Sequence, residues 1–271
     1  MNGQELITVL KQNRFAVFGT GFVSEMFWHA LKINGLEKNI TGYIVSAPGP
    51  DPAVFHGLPV TGIGEVSRDM IICLAVHDAN RAEITDMLRS TGYDTIIWVY
   101  PYIHELIFGP VRYTEDVDLR ELIRRQEPAY YWIAARYSIP AGENEELYLK
   151  AIAAHTGRRT AERRLRQYRE LIQSFESRGY DPSYPILIDT RGRIIDGLHR
   201  LALAVYHGLP SIRCQVTDAS ENYGLILHEV NYLPQNKLTE YGFTAEEITI
   251  LQKLQKDTGI DKSTGQAYRE V

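Results

Sequence analysis

Cysteine is nearly absent: the 271-residue chain has two, Cys73 and Cys214, each inside an apolar run ("MIICLAV" and "SIRCQV"). Two buried thiols exclude a disulfide framework, and no Cys-x-x-Cys or Cys/His spacing offers a zinc site. The first residues, "MNGQELITVLKQNRFAVFG", are broken by polar side chains where a signal peptide needs a continuous apolar core. No run approaches the length of a membrane span. A cytoplasmic protein that does not engage membranes is therefore expected. An excess of basic charge is also missing: the net charge is −5, which speaks against general nucleic-acid binding. Any anion site must come from a local cluster. Neither internal repeats nor low-complexity segments occur, so solenoid and disordered classes are set aside. What remains, 44% hydrophobic and 23% charged residues, suits one large or two modest globular domains.

The first hundred or so residues alternate between short apolar runs and helical patterns. Strands are expected at Arg14–Gly19, Ile40–Ser46, Met70–Val76 and Asp94–Pro101. Helices are expected in "FVSEMFWHALKING", closing at Asn34-Gly35, and in "NRAEITDMLRSTG", ending at Gly92. Between them lies a Pro/Gly-rich loop, "APGPDPAVFHGLPVTGIGEV", ending in a short strand or turn. Such alternation predicts an α/β fold with a parallel sheet covered on both faces. Within "VFGTGFVSEM", Gly19 and Gly21 sit between a strand and a helix, with Ser24 at the third position of a dinucleotide-type loop. Glycines there allow a tight turn and close approach of a phosphate to the helix start. Ser24 in place of a third glycine argues against NAD, as does a second strand ending in "YIVSA", which has no acid for a ribose hydroxyl. Another nucleotide, a nucleotide-sugar or a purely steric role for the glycines stays open.

Past a boundary near Phe108–Glu115 the pattern changes. "VDLRELIRRQEPAYYWIAARYSIP" mixes a helix with a possible strand, and "HTGRRTAERRLRQYRELIQSFESRGYD" is a long helical stretch. "YPILIDTRGRIIDG" reads as a hairpin, "HRLALAVYHG" as a helix ended by Gly208, and "SIRCQV" as a strand. The tail is helical, its clearest helix being "TAEEITILQKLQKDTG", with Thr244 as N-cap and Glu247 three residues on.

Two features carry chemistry. His155 to Arg169 holds six arginines in fifteen residues. On a helical period Leu165, Tyr168, Leu171, Ile172 and Phe175 share one face, and Arg159, Arg163 and Arg166 fall nearly opposite. That face is either solvated and partly paired to Glu162 and Glu170, or an anion site, since guanidinium forks suit phosphate oxygens. The second feature is the corner "DGLHR". Asp196 and Gly197 end a strand, and His199 and Arg200 enter a helix. A helix start with a positive dipole end, an imidazole and a guanidinium can bind phosphate. Asp196 beside it could orient a hydroxyl, hold Mg²⁺ or accept a proton, or merely cap the helix.

Both halves resemble known modules. Residues 13–101, through "AVFGTGFVSEMFWHALKING", "TGYIVS", "FHGLPVTGIGEV" and "IICLAVHDANRAEITDMLRSTGYD", resemble the Rossmann-like nucleotide-sugar-binding domain of bacterial sugar acyltransferases. The acyltransferase repeat domain does not follow, so that activity is not implied. Residues 120–217 resemble the ParB/sulfiredoxin superfamily, whose core runs strand, strand, Gly-x-His-Arg, helix, strand; here the motif is Gly197-Leu198-His199-Arg200. In that superfamily the motif binds nucleotide phosphates: ATP in sulfiredoxins, CTP in partition proteins, ADP or ATP in free-serine kinases. Leu198 stands where sulfiredoxins need a cysteine, which speaks against sulfinic-acid reduction. It also replaces the first histidine of the kinases' Asp-Gly-His-His-Arg. Glu143 and Glu145 are candidates for the kinases' catalytic glutamate.

The expectation is an α/β protein with three parts. Residues 1–110 form a Rossmann-like domain, 111–218 an α+β ParB/sulfiredoxin-like nucleotide-binding domain, and 219–271 a helical C-terminal extension. The leading function is a nucleotide-dependent phosphotransferase acting on a small hydroxylated metabolite, in the setting of surface-polysaccharide synthesis. Asp196 and His199 would be catalytic, and Asp196 would hold Mg²⁺. Gly197, His199, Arg200, Arg159, Arg163 and Arg166 would bind the phosphates of ATP or ADP, with CTP as a variant, and Gly19, Gly21 and Ser24 would form a second ligand loop. The alternatives are a protein that senses a nucleotide or nucleotide-sugar without turning it over and, third, DNA binding through the arginine helix.

Overall fold

The structure, a computed structural model, describes residues 1–47, 54–126, 128–218 and 233–260. The middle of the Pro/Gly-rich loop (48–53) and the tail segments 219–232 and 261–271 lie outside the described residues. The chain divides into two units, Met1–Pro110 and Val111–Val271. Both mix helices with a sheet, so the fold class is α/β.

The first unit begins with helix α1 (Gly3–Gln12), started by a capping box in which Asn2 and Glu5 satisfy each other's backbone N–H. Strand β1 (Phe15–Phe18) follows, buried on both faces, and then α2 (Phe22–Ile33), which stops at Asn34 and Gly35 as its sequence predicts. Strand β2 (Ile40–Val45) leads to a hairpin of β3 (Val54–Phe55) and β4 (Leu58–Gly62). Then come β5 (Ile71–Leu74), α3 (Asp78–Ser90), β6 (Ile96–Trp98) and α4 (Ile103–Phe108). The sheet order is β3-β4-β2-β1-β5-β6. All pairings are parallel except the edge pair β3–β4. The chain works outward from β1 first on one side and then on the other. The strand order therefore reverses between β1 and β5, the point at which open α/β sheets take ligands beyond the C-terminal strand ends. Ala16, Phe18, Ile44, Ile72, Leu74, Leu88 and Tyr93 pack against one another on one side of the sheet.

The second unit opens with a strand, β7 (Tyr113–Asp118), followed by α5 (Leu119–Arg124) and α6 (Trp132–Tyr137). The possible strand within "YYWIAARYSIP" is thus a helix. Its residues 132–136 are all buried, so the apolar run has no polar face to betray a period. The long helical stretch is present as α8 (Arg158–Arg178), and its first two residues instead close a separate helix, α7 (Glu145–Thr156), because Gly157 has φ +78°, which a helix cannot continue through. The hairpin is present as β8 (Ile186–Asp189) and β9 (Ile194–Asp196). The buried Asp189 carboxylate accepts the backbone N–H of Arg191 at 2.9 Å and of Arg193 at 2.8 Å, together with Arg193 Nε at 2.7 Å, which closes the turn. Helix α9 (Leu198–Tyr206) and strand β10 (Ser211–Thr217) complete the sheet, ordered β7-β10-β8-β9 with β10 parallel to β8. Helix α10 (Ala245–Asp257) carries the predicted Thr244/Glu247 capping box. Leu233, Leu238, Phe243, Leu251 and Leu254 share a core with Tyr131, Ala134, Ala135, Leu147 and Ala151 of this unit. A second core joins Tyr148, Ile152, Leu165, Tyr168 and Phe175 to Leu203 of α9. No helix of the described residues is long and apolar enough to cross a membrane.

Candidate functional site

The corner "DGLHR" is built on Gly197. This residue has φ +100°, and a Cβ there would lie 2.5 Å from Ile186 Cγ2 and 3.1 Å from Ile186 Cα. Only glycine can turn β9 directly into α9 this close to β8. Gly197 is also the N-cap of α9, and no side chain caps the helix. Asp196 therefore does not serve as the cap. Its carboxylate is exposed at the end of β9, 3.4 Å from Arg200 Nη2. The first backbone N–H groups of α9 are left with the positive end of its dipole and no carboxylate over them.

Leu198 points into the core and His199 into a cage of aromatic rings. His199 Nε2 lies 2.8 Å from the Tyr148 hydroxyl of α7, and its ring centroid lies 4.4 Å from that of Tyr168 of α8. Tyr168 in turn donates to the Arg136 carbonyl of α6 at 3.2 Å. Arg136 is 4% exposed. Its Nη1 donates to the Trp132 carbonyl at 2.9 Å, and its Nε, fully buried, has no hydrogen-bond partner. The packing of α6 and α7 against α8 and α9 thus carries a guanidinium from a helix well upstream of the motif to the corner.

The electrostatics follow from that convergence. Burial first, and then the positive charges of Arg136, Arg164 and Arg200, hold His199 well below its ordinary pKa of 6.5, so the imidazole is neutral. Arg136 is itself pushed down to about 10, by burial foremost, with Tyr148 opposing and Arg164 reinforcing the shift. Burial raises the pKa of the Tyr148 hydroxyl against the pull of Arg136 and Arg164, which keeps it a phenol. Among the described residues, Asp196 is the one carboxylate whose charge acts on Arg136.

Arg200 and Arg164 divide the cationic work unevenly. Arg200 Nη1 donates to the carbonyls of Tyr184 at 2.7 Å and Pro185 at 2.6 Å, and Nη2 faces Asp196. Most of its fork is spent on tying the lead-in of β8 to α9. Arg164, half-buried, makes no ion pair among the described residues, and its charge bears on both Arg136 and His199. The other arginines of α8 lie elsewhere on the helix. Arg159 and Arg166 are exposed and Arg163 is half-buried. Arg158 bonds to Glu146 and Glu162, and Arg169 to Glu145. Of the two glutamates singled out above, Glu145 is thus engaged at the start of α7. Glu143 sits in the preceding turn, its N–H on the Ser138 carbonyl at 3.0 Å. Sequence reasoning missed Arg136, Arg164, Tyr148 and Tyr168. An arginine inside the apolar run "YYWIAARY" was the one available signal, since such a run rarely buries a charge without use for it.

In the first unit, Gly19 has φ +107° and its N–H bonds to the Ile44 carbonyl at 2.9 Å. Gly21 is the N-cap of α2, with open space where a Cβ would project. Ser24 is buried, and its hydroxyl donates to the Gly19 carbonyl at 2.8 Å, so it staples the loop. Phe22, His77 and Tyr100 line up beside the loop, with ring centroids 6.3 Å and 5.0 Å apart in sequence of contact. Among the described residues no group of three or more His, Cys, Asp or Glu side chains is arranged to hold a metal ion.

Compared with known proteins, the chain matches no family model, no curated protein and no solved structure.

Proposed function

We propose that the second unit binds the phosphates of a nucleotide, ATP or ADP, at the start of α9, and that the protein is a nucleotide-dependent phosphotransferase acting on a small hydroxylated metabolite. One observation carries this reading: the charges of three arginines, Arg136, Arg164 and Arg200, bear on a neutral histidine at a helix start that no side chain caps, with the Asp196 carboxylate exposed beside it. Keeping cations together and half out of water costs several kcal/mol unless an anion joins them. A phosphate carries the opposite charge and accepts from guanidinium and backbone N–H donors alike. The order β8, β9, Gly197-Leu198-His199-Arg200, α9, β10 supports the ParB/sulfiredoxin-like reading, and the reversal of parallel strands at β1 and β5 supports a Rossmann-like first unit.

Asp196, exposed beside the cluster, is the residue to orient an incoming hydroxyl. It also suits Mg²⁺, which takes one or two carboxylates together with substrate phosphates. Mg²⁺ would supply charge neutralisation on the transferred phosphoryl group. His199, held neutral and bonded to Tyr148, positions phosphate rather than moving a proton at neutral pH.

The test is Mg²⁺-dependent ATP or ADP consumption in the presence of a panel of hydroxylated metabolites. Asp196→Asn is expected to abolish turnover and to leave nucleotide binding within about threefold of wild type. Binding without turnover of any panel member would favour a nucleotide sensor. That second reading has its own support, since Glu145 is held by Arg169 rather than placed beside Asp196. Absence of nucleotide binding would overturn both.

A further inference from the structure

We infer that Tyr148 is a positioning residue for His199: its hydroxyl holds the imidazole in the tautomer that carries its proton on Nδ1, so that His199 meets an anion as a hydrogen-bond donor. The inference rests on the phosphate-site reading above for the identity of that anion. It deepens that reading, because it names the nitrogen of the motif's histidine that is left to serve a ligand and the group that leaves it so.

The two ring nitrogens have different surroundings. Nε2 lies 2.8 Å from the Tyr148 hydroxyl oxygen. Two arrangements give that distance: the ring donates to the phenol, or the phenol donates to the ring. The burial of Tyr148 decides between them. Tyr148 is 0% exposed, and among the described residues His199 Nε2 is the one hydrogen-bond partner of its hydroxyl. If Nε2 carried the hydrogen, the phenol O–H would be left without an acceptor in a closed interior, at the full desolvation cost of a donor. If Nε2 is bare, it accepts that O–H, and only a phenol lone pair goes unused, which is the milder loss.

The ring is also held in orientation. Tyr168 lies against it with centroids 4.4 Å apart, and the Tyr148 and Tyr168 rings stack at 5.7 Å and 22°. Tyr168 is itself pinned by its hydrogen bond to the Arg136 carbonyl at 3.2 Å. Burial and the charges of Arg136, Arg164 and Arg200 oppose a second proton, so the single hydrogen of the neutral ring goes to Nδ1.

Nδ1 is placed to use it. His199 is half-buried, and among the described residues its Nδ1 has no hydrogen-bond partner yet is not one of the shut-in polar atoms. His199 is the second residue of α9, whose start no side chain caps. An Nδ1–H there joins the backbone N–H groups of the first turn as a donor for an oxyanion. A bare Nδ1 would oppose a phosphate oxygen with its own lone pair.

The experiment is long-range proton–nitrogen correlation NMR of the full chain with isotope-labelled histidine at neutral pH, His199 being assigned by its loss in His199→Gln. Wild type is expected to show His199 protonated at Nδ1 and bare at Nε2. Tyr148→Phe, which keeps the ring and removes the O–H, is expected to move the proton wholly or partly to Nε2. Tyr168→Phe also loses a buried hydrogen bond but is expected to keep the Nδ1 tautomer, which separates positioning from a general loss of stability. Pyrophosphate added to wild type is expected to shift the Nδ1 signal. Calorimetry is expected to show pyrophosphate binding weakened about 3- to 10-fold in Tyr148→Phe, the worth of one hydrogen bond. A wild-type His199 protonated at Nε2, or an unchanged tautomer in Tyr148→Phe, overturns the assignment. Should Tyr148→Phe fail to fold, the wild-type spectrum decides alone. Pyrophosphate binding that leaves both the Nδ1 signal and the Tyr148→Phe affinity unchanged overturns the donor role. If ADP binds and His199 is protonated at Nε2, this inference falls and the nucleotide reading stands. If the tautomer is as stated and neither pyrophosphate nor ADP binds, the hold of Tyr148 on His199 stands and the phosphate reading falls.

Discussion

The chain turns from a buried strand into a helix at two glycine corners, one in each unit, and they use the same backbone device to different ends. Gly19 after β1 and Gly197 after β9 both adopt left-handed φ, +107° and +100°, and both α2 and α9 start without a side-chain cap. At the first corner the polar groups are settled internally by Ser24 and the Ile44 carbonyl, and aromatic rings line the approach. At the second corner Arg136, Arg164 and Arg200 bear on one histidine. The first corner has room and little charge, and the second has charge in excess of its partners. The same strand–glycine–helix turn thus takes its electrostatic character from the side chains that other helices bring to it.

The largest expected effect that sharpens this contrast is at Gly197. Gly197→Ala places a Cβ against Ile186 at a positive φ, and should cost about 3–4 kcal/mol in denaturant unfolding, from overpacking plus backbone strain. The turn that feeds the same corner is nearly as sensitive. Asp189→Ala removes a buried carboxylate from two backbone N–H groups and Arg193, with an expected loss of about 3 kcal/mol by the same measurement.

Acid should also weaken the second corner specifically. His199 titrates lower in the folded chain than in the unfolded one, so below pH 6.5 the unfolded state takes up a proton that the folded state refuses. Stability should be insensitive to this group above that pH. It should fall by up to about 1.4 kcal/mol per pH unit below it, until the depressed folded pKa is reached. His199→Gln should flatten that part of the profile, and an unchanged slope would show the acid sensitivity to lie elsewhere.

Smaller effects belong to the first corner. Ser24→Ala removes the staple on the Gly19 carbonyl and should cost about 1 kcal/mol. Gly21→Ala meets no atom within 4 Å and should change stability by less than about 0.5 kcal/mol. A large loss at Gly21 together with a mild one at Gly197 would invert the comparison.

Much of the secondary structure is legible in the chain itself. Asn34-Gly35 ends α2, Thr244 and Glu247 start α10, and the "TRG" turn joins β8 to β9, because caps and turns are short-range hydrogen-bonding and steric requirements. The apolar face of α8, through Leu165, Tyr168, Leu171, Ile172 and Phe175, packs as its period predicts. Three features escaped for identifiable reasons. Strand β7 is an edge strand with mostly exposed, charged residues, so it shows neither alternation nor an apolar run. Helix α6 is buried all round and has no periodic signature. The break at Gly157 depends on one residue inside a strongly helical sequence.

The site divides along the same line. Local sequence determined the corner: an acid, a glycine, a histidine and an arginine between a hairpin and a helix, with the glycine needed for the turn. Only the tertiary structure decided which cations bear on it. Arg159, Arg163 and Arg166 share a helix face by spacing, but Arg164 on the adjacent stripe bears on His199, and Arg136 arrives from a separate helix. Helical spacing says which residues share a face. The direction of that face, and the depth that turns an ordinary arginine into an unpaired buried charge, are set by packing between segments far apart in the chain.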